Sequence, residues 1–211
     1  MTDILFITPN NAAITYQSLS DKYAAIEPPT WALLLADSVR NKGGRVSMLD
    51  TLAEQLSDED SYDRVVKISP KLICFVVYGQ NVNAGTTNMG GAVRLSEFLK
   101  RKGMSTPIGF IGSHVQALPL ETLEAEKSID FVFLNEGVNA LNAIISKQAF
   151  EITPLLDVPG LAVRIDNEIR FTGNPTIVPQ SDIDDVMPGY AWDLLPYKEK
   201  PLDLYRSPYW H

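Results

Sequence analysis

Over the first 150 residues, short apolar runs alternate with segments of helical period. The runs fall at 3–8 (DILFIT), 45–49 (RVSML), 71–78 (KLICFVVY), 107–111 (PIGFI) and 129–134 (IDFVFL). Three of them are nearly continuous in large apolar residues. That is the pattern of strands covered on both faces in a parallel sheet. Between the runs, apolar positions recur every three to four residues. In the first such segment Pro28-Pro29-Thr30 precedes Trp31, Leu34, Leu35 and Val39, and Gly43-Gly44 stops the helix. The second opens on Ser57 and Asp60, spaced as a capping box, and carries Tyr62, Val65, Val66 and Ile68. The third has its stripe at Met89, Ala92, Val93, Leu95, Phe98 and Leu99 and closes at Gly103. The fourth is short, from Pro119 to about Glu126, and the fifth runs from about Val138 to Lys147.

Five β-α units in succession predict an α/β fold: a flavodoxin-like, Rossmann-like, doubly wound sheet of five parallel strands in the order 2-1-3-4-5. After about residue 150 the pattern changes. Residues 159–164 and 168–171 flank Asp166-Asn167 and read as a small hairpin. From Thr172 to His211 the chain holds six of its 14 prolines and two of its three tryptophans, with no sustained period. The expected organisation is a ligand-binding α/β domain over 1–150, then a hairpin and an extended Pro-rich linker over 151–211 that leads elsewhere.

Composition narrows the partners. Asp and Glu number 26 against 18 Lys and Arg, a net charge of −8, which argues against nucleic acid. The longest basic cluster, Lys100-Arg101-Lys102, suits a helix C-terminus. No apolar stretch approaches the ~20 residues of a membrane span. The N-terminus lacks the basic region and cleavage site of a signal peptide, so a cytoplasmic protein is expected. The one cysteine, Cys74, lies inside an apolar run and reads as a core residue.

In open α/β sheets ligands bind beyond the C-terminal strand ends. Four loops reach that edge, at 9–29, 79–88, 112–119 and 135–139. The first is far longer than the ~2–6 residues usual in such units. All four are rich in small and amide residues, among them Asn10, Gln80, Asn81, Ser113 and Asn135. Uncharged hydrogen-bonding loops suit a large neutral, amide-bearing ligand better than a polyphosphate. Neither GxxxxGK[ST] nor GxGxxG follows the first strand, where Thr8-Pro9-Asn10-Asn11 has no glycine. A phosphoacceptor site is missing its acids, because Pro9-Asn10 and Tyr78-Gly79 stand in their places. No GxSxG offers a nucleophile elbow. His114 sits at a strand-to-helix turn, where capping or packing is the commoner role. Glu136 has two roles open to it, capping the next helix or binding a ligand amide.

Five segments then resemble one family in order and spacing. They are Pro28-Pro29; Ile111-Gly112-Ser113-His114-Val115-Gln116-Ala117-Leu118-Pro119; residues 129–137, ending Asn135-Glu136-Gly137; Pro159-Gly160-Leu161-Ala162-Val163-Arg164; and Ala191-Trp192-Asp193-Leu194-Leu195-Pro196. Together they resemble the N-terminal cobalamin (B12)-binding part of cobalamin-dependent radical SAM enzymes. That family shows a GGxH turn, a GEG turn, an IPGLAYR-like strand and a PAWDLLP-like linker. Here Ile111 and Ser113 stand around the single Gly112 of the first motif, Asn135 replaces the first glycine of the second, and no DxHxxG loop is present.

The resemblance implies cobalamin bound base-off with no histidine on cobalt and no other metal site. The cofactor-binding residues it implies are Asn10, Tyr78, Gly79, Gln80, Asn81, Gly112, Ser113, His114, Val115, Leu118, Pro119, Asn135, Glu136 and Gly137. The corrin would lie over 78–83, 112–119 and Glu136-Gly137, with its tail beside Gly109 and Gly112, where small residues leave space. It also implies a radical SAM barrel beyond the linker, whose CxxxCxxC would hold a [4Fe-4S] cluster and S-adenosylmethionine. A chain with one cysteine would then not be catalytic alone, and its parent would be methyltransferase-like. Two other readings stay open: a docking or substrate-positioning module that has lost cobalamin, with Ser113 and Asn135 as steric blocks, and a stand-alone binder of a nucleotide-like ligand.

Overall fold

The computed structural model describes residues 1–12, 26–78, 82–198 and 204–205, with backbone alone at 82–84. The five apolar runs form β1 (Thr2–Thr8), β2 (Val46–Asp50), β3 (Pro70–Val76), β4 (Ile108–Ile111) and β5 (Phe131–Phe133). All four pairings among them are parallel, in the expected order 2-1-3-4-5. Ile4–Ile7 and Leu72–Phe75 are wholly buried, as continuous apolar strands require.

The sheet does not stop at five strands. β6 (Leu161–Ile165) adds antiparallel to β5, pairing Phe131 with Val163 and Phe133 with Leu161. β7 (Glu168–Phe171) follows it through the tight turn at Asp166 and Asn167, both at positive φ. The predicted hairpin is therefore an extension of the same seven-stranded sheet. Its apolar residues Leu161, Ala162 and Val163 cover the edge that β5 would otherwise leave unpaired.

Helices cover both faces. On one lie α1 (Thr30–Asn41) and, later in the chain, the helix at Val138–Lys147. On the other lie α2 (Asp58–Ile68), α3 (Val82–Arg101), α4 (Ser113–Ala117) and α5 (Pro119–Ala125). Val138–Lys147 is α6 in chain order, followed by the single turn α7 (Ile152–Leu155) and by α8 (Ile183–Val186). Ser57 caps α2 as its spacing predicts, its hydroxyl accepting from the Asp60 N–H at 3.1 Å. Pro119 takes the first position of α5.

Two of the expected loops are helical. α3 begins at Val82, so most of the 79–88 loop is its first turns, and 113–117 forms α4. Asn83, Gly85, Thr86, Thr87 and Asn88 are poor helix formers, and packing overrides that preference. A Cβ on Gly91 would come within 2.5 Å of the Asn10 carbonyl, so the chain leaving β1 lies directly on this helix.

The described part of the segment after β7 packs along the domain. The Asn41 amide donates to the Asp185 carbonyl at 2.5 Å, and the Ala191 N–H donates to the Leu33 carbonyl at 3.2 Å. Arg40 grips Asp193 through two bonds of 2.7 and 2.9 Å. Ala191 and Leu195 are buried, while Val178, Val186, Met187 and Leu194 pack onto the α1/α6 core. Apolar side chains spaced without a period leave no signal that sequence reading can use.

Candidate cofactor edge

The C-terminal ends of β1, β3, β4 and β5 bring most of the predicted site residues to one edge. The crevice opens between β1 and β3, where the strand order reverses. Past β1, the Asn10 side-chain carbonyl accepts from the Ala12 N–H at 3.1 Å, which holds the turn. Its backbone carbonyl accepts from Arg94 at 3.4 Å. Asn88 then joins the two strand ends. Its amide donates to the Tyr78 carbonyl at 3.1 Å, and its side-chain oxygen accepts from Asn11 at 3.4 Å. A network of neutral amides therefore builds the floor of the crevice.

Tyr78 is half-buried and meets Trp31 edge-on, with ring centroids 5.4 Å apart. Burial, then the nearby Glu136 carboxylate and Cys74, push its phenol up to about 12. It is a neutral donor at physiological pH and not an anionic metal ligand. The Trp31 indole N–H is buried with no acceptor among the described residues, an arrangement that costs energy unless a partner arrives. Cys74 lies beneath them, fully buried, and burial raises its thiol well above the usual range. It is inert core, as its apolar surroundings imply.

Beyond β4, Gly112 starts α4 with no space beside it. A Cβ there would stand 2.4 Å from the Val77 carbonyl oxygen. The Ser113 hydroxyl fits over Gly85, where a Cβ would meet it at 2.2 Å. Ser113 is therefore turned into the α3–α4 contact. His114 Nδ1 lies 3.2 Å from the Thr86 hydroxyl, so one ring nitrogen is engaged and the half-exposed ring is steered along the edge. Val115 is wholly buried in the α3-side core, while Leu118 stays 41% exposed and Pro119 half-exposed at the rim.

Beyond β5, Asn135 has both ends of its amide engaged. Its oxygen accepts from the Gly137 N–H at 3.0 Å, and its nitrogen donates to the Thr176 carbonyl at 3.0 Å. Asn139 grips the same Thr176 carbonyl at 2.9 Å. Asparagine in place of glycine therefore clamps the segment that follows β7. A pocket of about 90 Å³ beside this clamp, reaching Ala143 and Pro159, has room for about three waters and not for a corrin. Gly137 sits at φ +80°, with Ile111 where a Cβ would be, so glycine is required at the start of α6. Glu136 is half-buried, and its charge acts on Tyr78.

Gly79, Gln80, Asn81 and most of the 9–29 segment lie outside the described residues. The space expected at Gly109 and Gly112 is absent. The Phe131 ring fills the first, 2.2 Å from an added Cβ, and the Val77 backbone fills the second. Sequence reading placed Thr86 in an edge loop without a role and missed Trp31 and Asp50 as edge residues. Asp50 ends β2 and is buried, and burial pushes its carboxyl up to about 6. A lone acid closing an apolar run was its only signal.

The comparisons agree with this geometry. The family model described as the B12 binding domain matches residues 17–145, more than half of the chain. No curated protein matches. Among solved structures, the cobalamin-dependent S-adenosylmethionine radical enzyme OxsB, with aqua-cobalamin and S-adenosylmethionine bound, is similar at a TM-score of 0.66 and 13% identity. That match covers 92% of this chain and 24% of OxsB. The radical S-adenosylmethionine methyltransferase TsrM from Kitasatospora setae, with tryptophan and a SAM analogue bound, is similar at a TM-score of 0.60 and 16% identity. It covers 82% of this chain and 30% of TsrM. The chain thus spans about a quarter to a third of these enzymes, and at such identities the likeness is one of fold. Family match and fold together give one conclusion: this chain belongs to the B12-binding domain family.

Proposed function

We propose that the domain holds cobalamin across the C-terminal strand ends, over Tyr78, the 112–119 segment and Glu136-Gly137. The carrying observation is the chemistry of the β1/β3 crevice, where neutral amides and a neutral phenol take the place of a phosphate-binding turn. A corrin is rimmed with amides, which both donate and accept. The buried Trp31 N–H is a donor that an amide carbonyl would satisfy. Asn10, Asn88, Tyr78, His114 and Glu136 supply complementary groups along the same edge, with Leu118 as an apolar rim.

The absence of a DxHxxG loop from the sequence is what supports a cofactor bound base-off without histidine on cobalt, with His114, tied to Thr86 through Nδ1, as a rim residue. Bound cobalamin supplies a cobalt centre that can carry a methyl group or an electron. By the same resemblance the parent protein joins this domain to a radical SAM barrel that binds a [4Fe-4S] cluster and S-adenosylmethionine, with 1–150 as the cobalamin unit and 151–211 as hairpin and linker. No helix among the described residues is long and apolar enough to cross a membrane.

The rival readings find less support. Ser113 and Asn135 are turned into packing and into the Thr176 clamp, so neither stands as a block over the edge. In dinucleotide folds an acid after the second strand takes a ribose hydroxyl. Here that place is held by Asp50, whose carboxylate already receives the Tyr205 hydroxyl. His114→Trp tests the placement, because it fills the half-exposed edge without entering the core. Corrin retention should fall at least about tenfold, the scale of one lost polar contact, with the melting temperature little changed. Unaltered retention would move the ligand elsewhere.

A further inference from the structure

Asp50 is 2% exposed at the C-terminal end of β2. One carboxylate oxygen accepts from the Ala53 N–H at 3.1 Å, the other from the Tyr205 hydroxyl at 3.1 Å. Tyr205 lies 155 residues further on, half-buried, past the Trp192–Leu194 turn. The charged neighbour of the pair is Glu54, which repels it and is itself held by Arg64 at 3.3 Å. A buried acid with no cation bonded to it among the described residues is costly unless strong donors reach it. The Tyr205 phenol is such a donor, neutral itself, and it reaches this buried acceptor.

We propose that Asp50 is a positioning residue, the anchor that fixes the chain beyond the Trp192–Leu194 turn to the ligand edge through Tyr205. The linker is then held twice, along α1 by Arg40 and Asp193 and at the edge by Asp50 and Tyr205. If the edge holds a corrin, a consequence that rests on the proposed function, this anchor sets where the next domain starts relative to it.

The Arg206–Ser207 bond adjoins the anchor and is a trypsin site. Cleavage there reports the undocked fraction when docking is fast relative to cutting. On the chain without corrin, Tyr205→Phe should raise the rate of that cleavage about tenfold, the scale of one lost hydrogen bond to a charged group. In an Asp50→Asn background the same change should raise it less than about threefold, because a neutral amide accepts a weaker bond. Wild-type cleavage of Tyr205→Phe overturns the anchor, and so does an equal acceleration in both backgrounds. Neither result touches corrin retention, and a chain that fails to retain corrin can still show the anchor.

Discussion

Gly112→Ala lowers the melting temperature by roughly 4–12 °C, because a single methyl at this position meets backbone and not a side chain that could move aside. The added Cβ would stand 2.4 Å from the Val77 carbonyl oxygen and 2.8 Å from its carbon. Relief requires β3 and β4 to part where Val76 pairs with Ile111 and where the Val77 N–H donates to the Ile111 carbonyl at 2.7 Å. Overpacking of this kind costs about 2–3 kcal/mol, and a domain of this size loses about 2–4 °C per kcal/mol. Thermal unfolding followed by circular dichroism measures it, and an unchanged melting temperature would refute the tight turn. Gly112→Trp strains the same contact further, so loss of corrin in that variant reports the fold and not the site. His114→Trp is the cleaner probe.

Asp50→Asn acts in the opposite direction and makes the protein more stable at pH 7. Burial lifts the Asp50 carboxyl from 3.8 to about 6 in the folded chain. The folded state therefore binds its proton more tightly than the unfolded state. That contribution is fully present below about pH 3.8, declines as the pH rises through 6, and is gone at neutral pH. The interval corresponds to about 3 kcal/mol. Asparagine stays neutral throughout, so the variant gains up to that amount at pH 7. The gain is smaller in practice because its NH₂ faces one of the two donors, Ala53 N–H or Tyr205 hydroxyl. Urea unfolding from pH 4 to 8 should show the variant and wild type drawing apart between about pH 4 and 6 and keeping a constant separation above that. Parallel curves would mean that the carboxyl is not desolvated.

The two residues also show what the sequence could and could not disclose. β1 and β3 were legible because both faces are covered, which leaves unbroken apolar runs at Ile4–Ile7 and Leu72–Phe75. α2 was legible because Ser57 and Asp60 carry their capping signal locally. The early turns of α3 were not. Their stability comes from Ser113 over Gly85 and from the Asn10 carbonyl against Gly91, contacts that join distant segments. Asn135 looked like added bulk at a ligand site until its amide was found on Thr176, 41 residues away. The family motifs were recognisable because turns and their glycines are local features. The space beside Gly109 was misjudged because Phe131, from the neighbouring strand, fills it.

The pairing of Asp50 with Tyr205 spans 155 residues and has no sequence signature. It explains why a linker with no period is nevertheless ordered against the sheet at Tyr205. It also ties two properties together. The acid that reduces stability at neutral pH is the one that holds the segment leaving the ligand edge.

The central claim is that the C-terminal edge binds cobalamin, and one measurement tests it directly. The purified chain is mixed with hydroxocobalamin and passed through a desalting column, and the visible spectrum of the protein fraction is recorded. Retained corrin, with its bands shifted to shorter wavelength as in the base-off form, is the predicted result. A folded protein fraction that emerges colourless would contradict it.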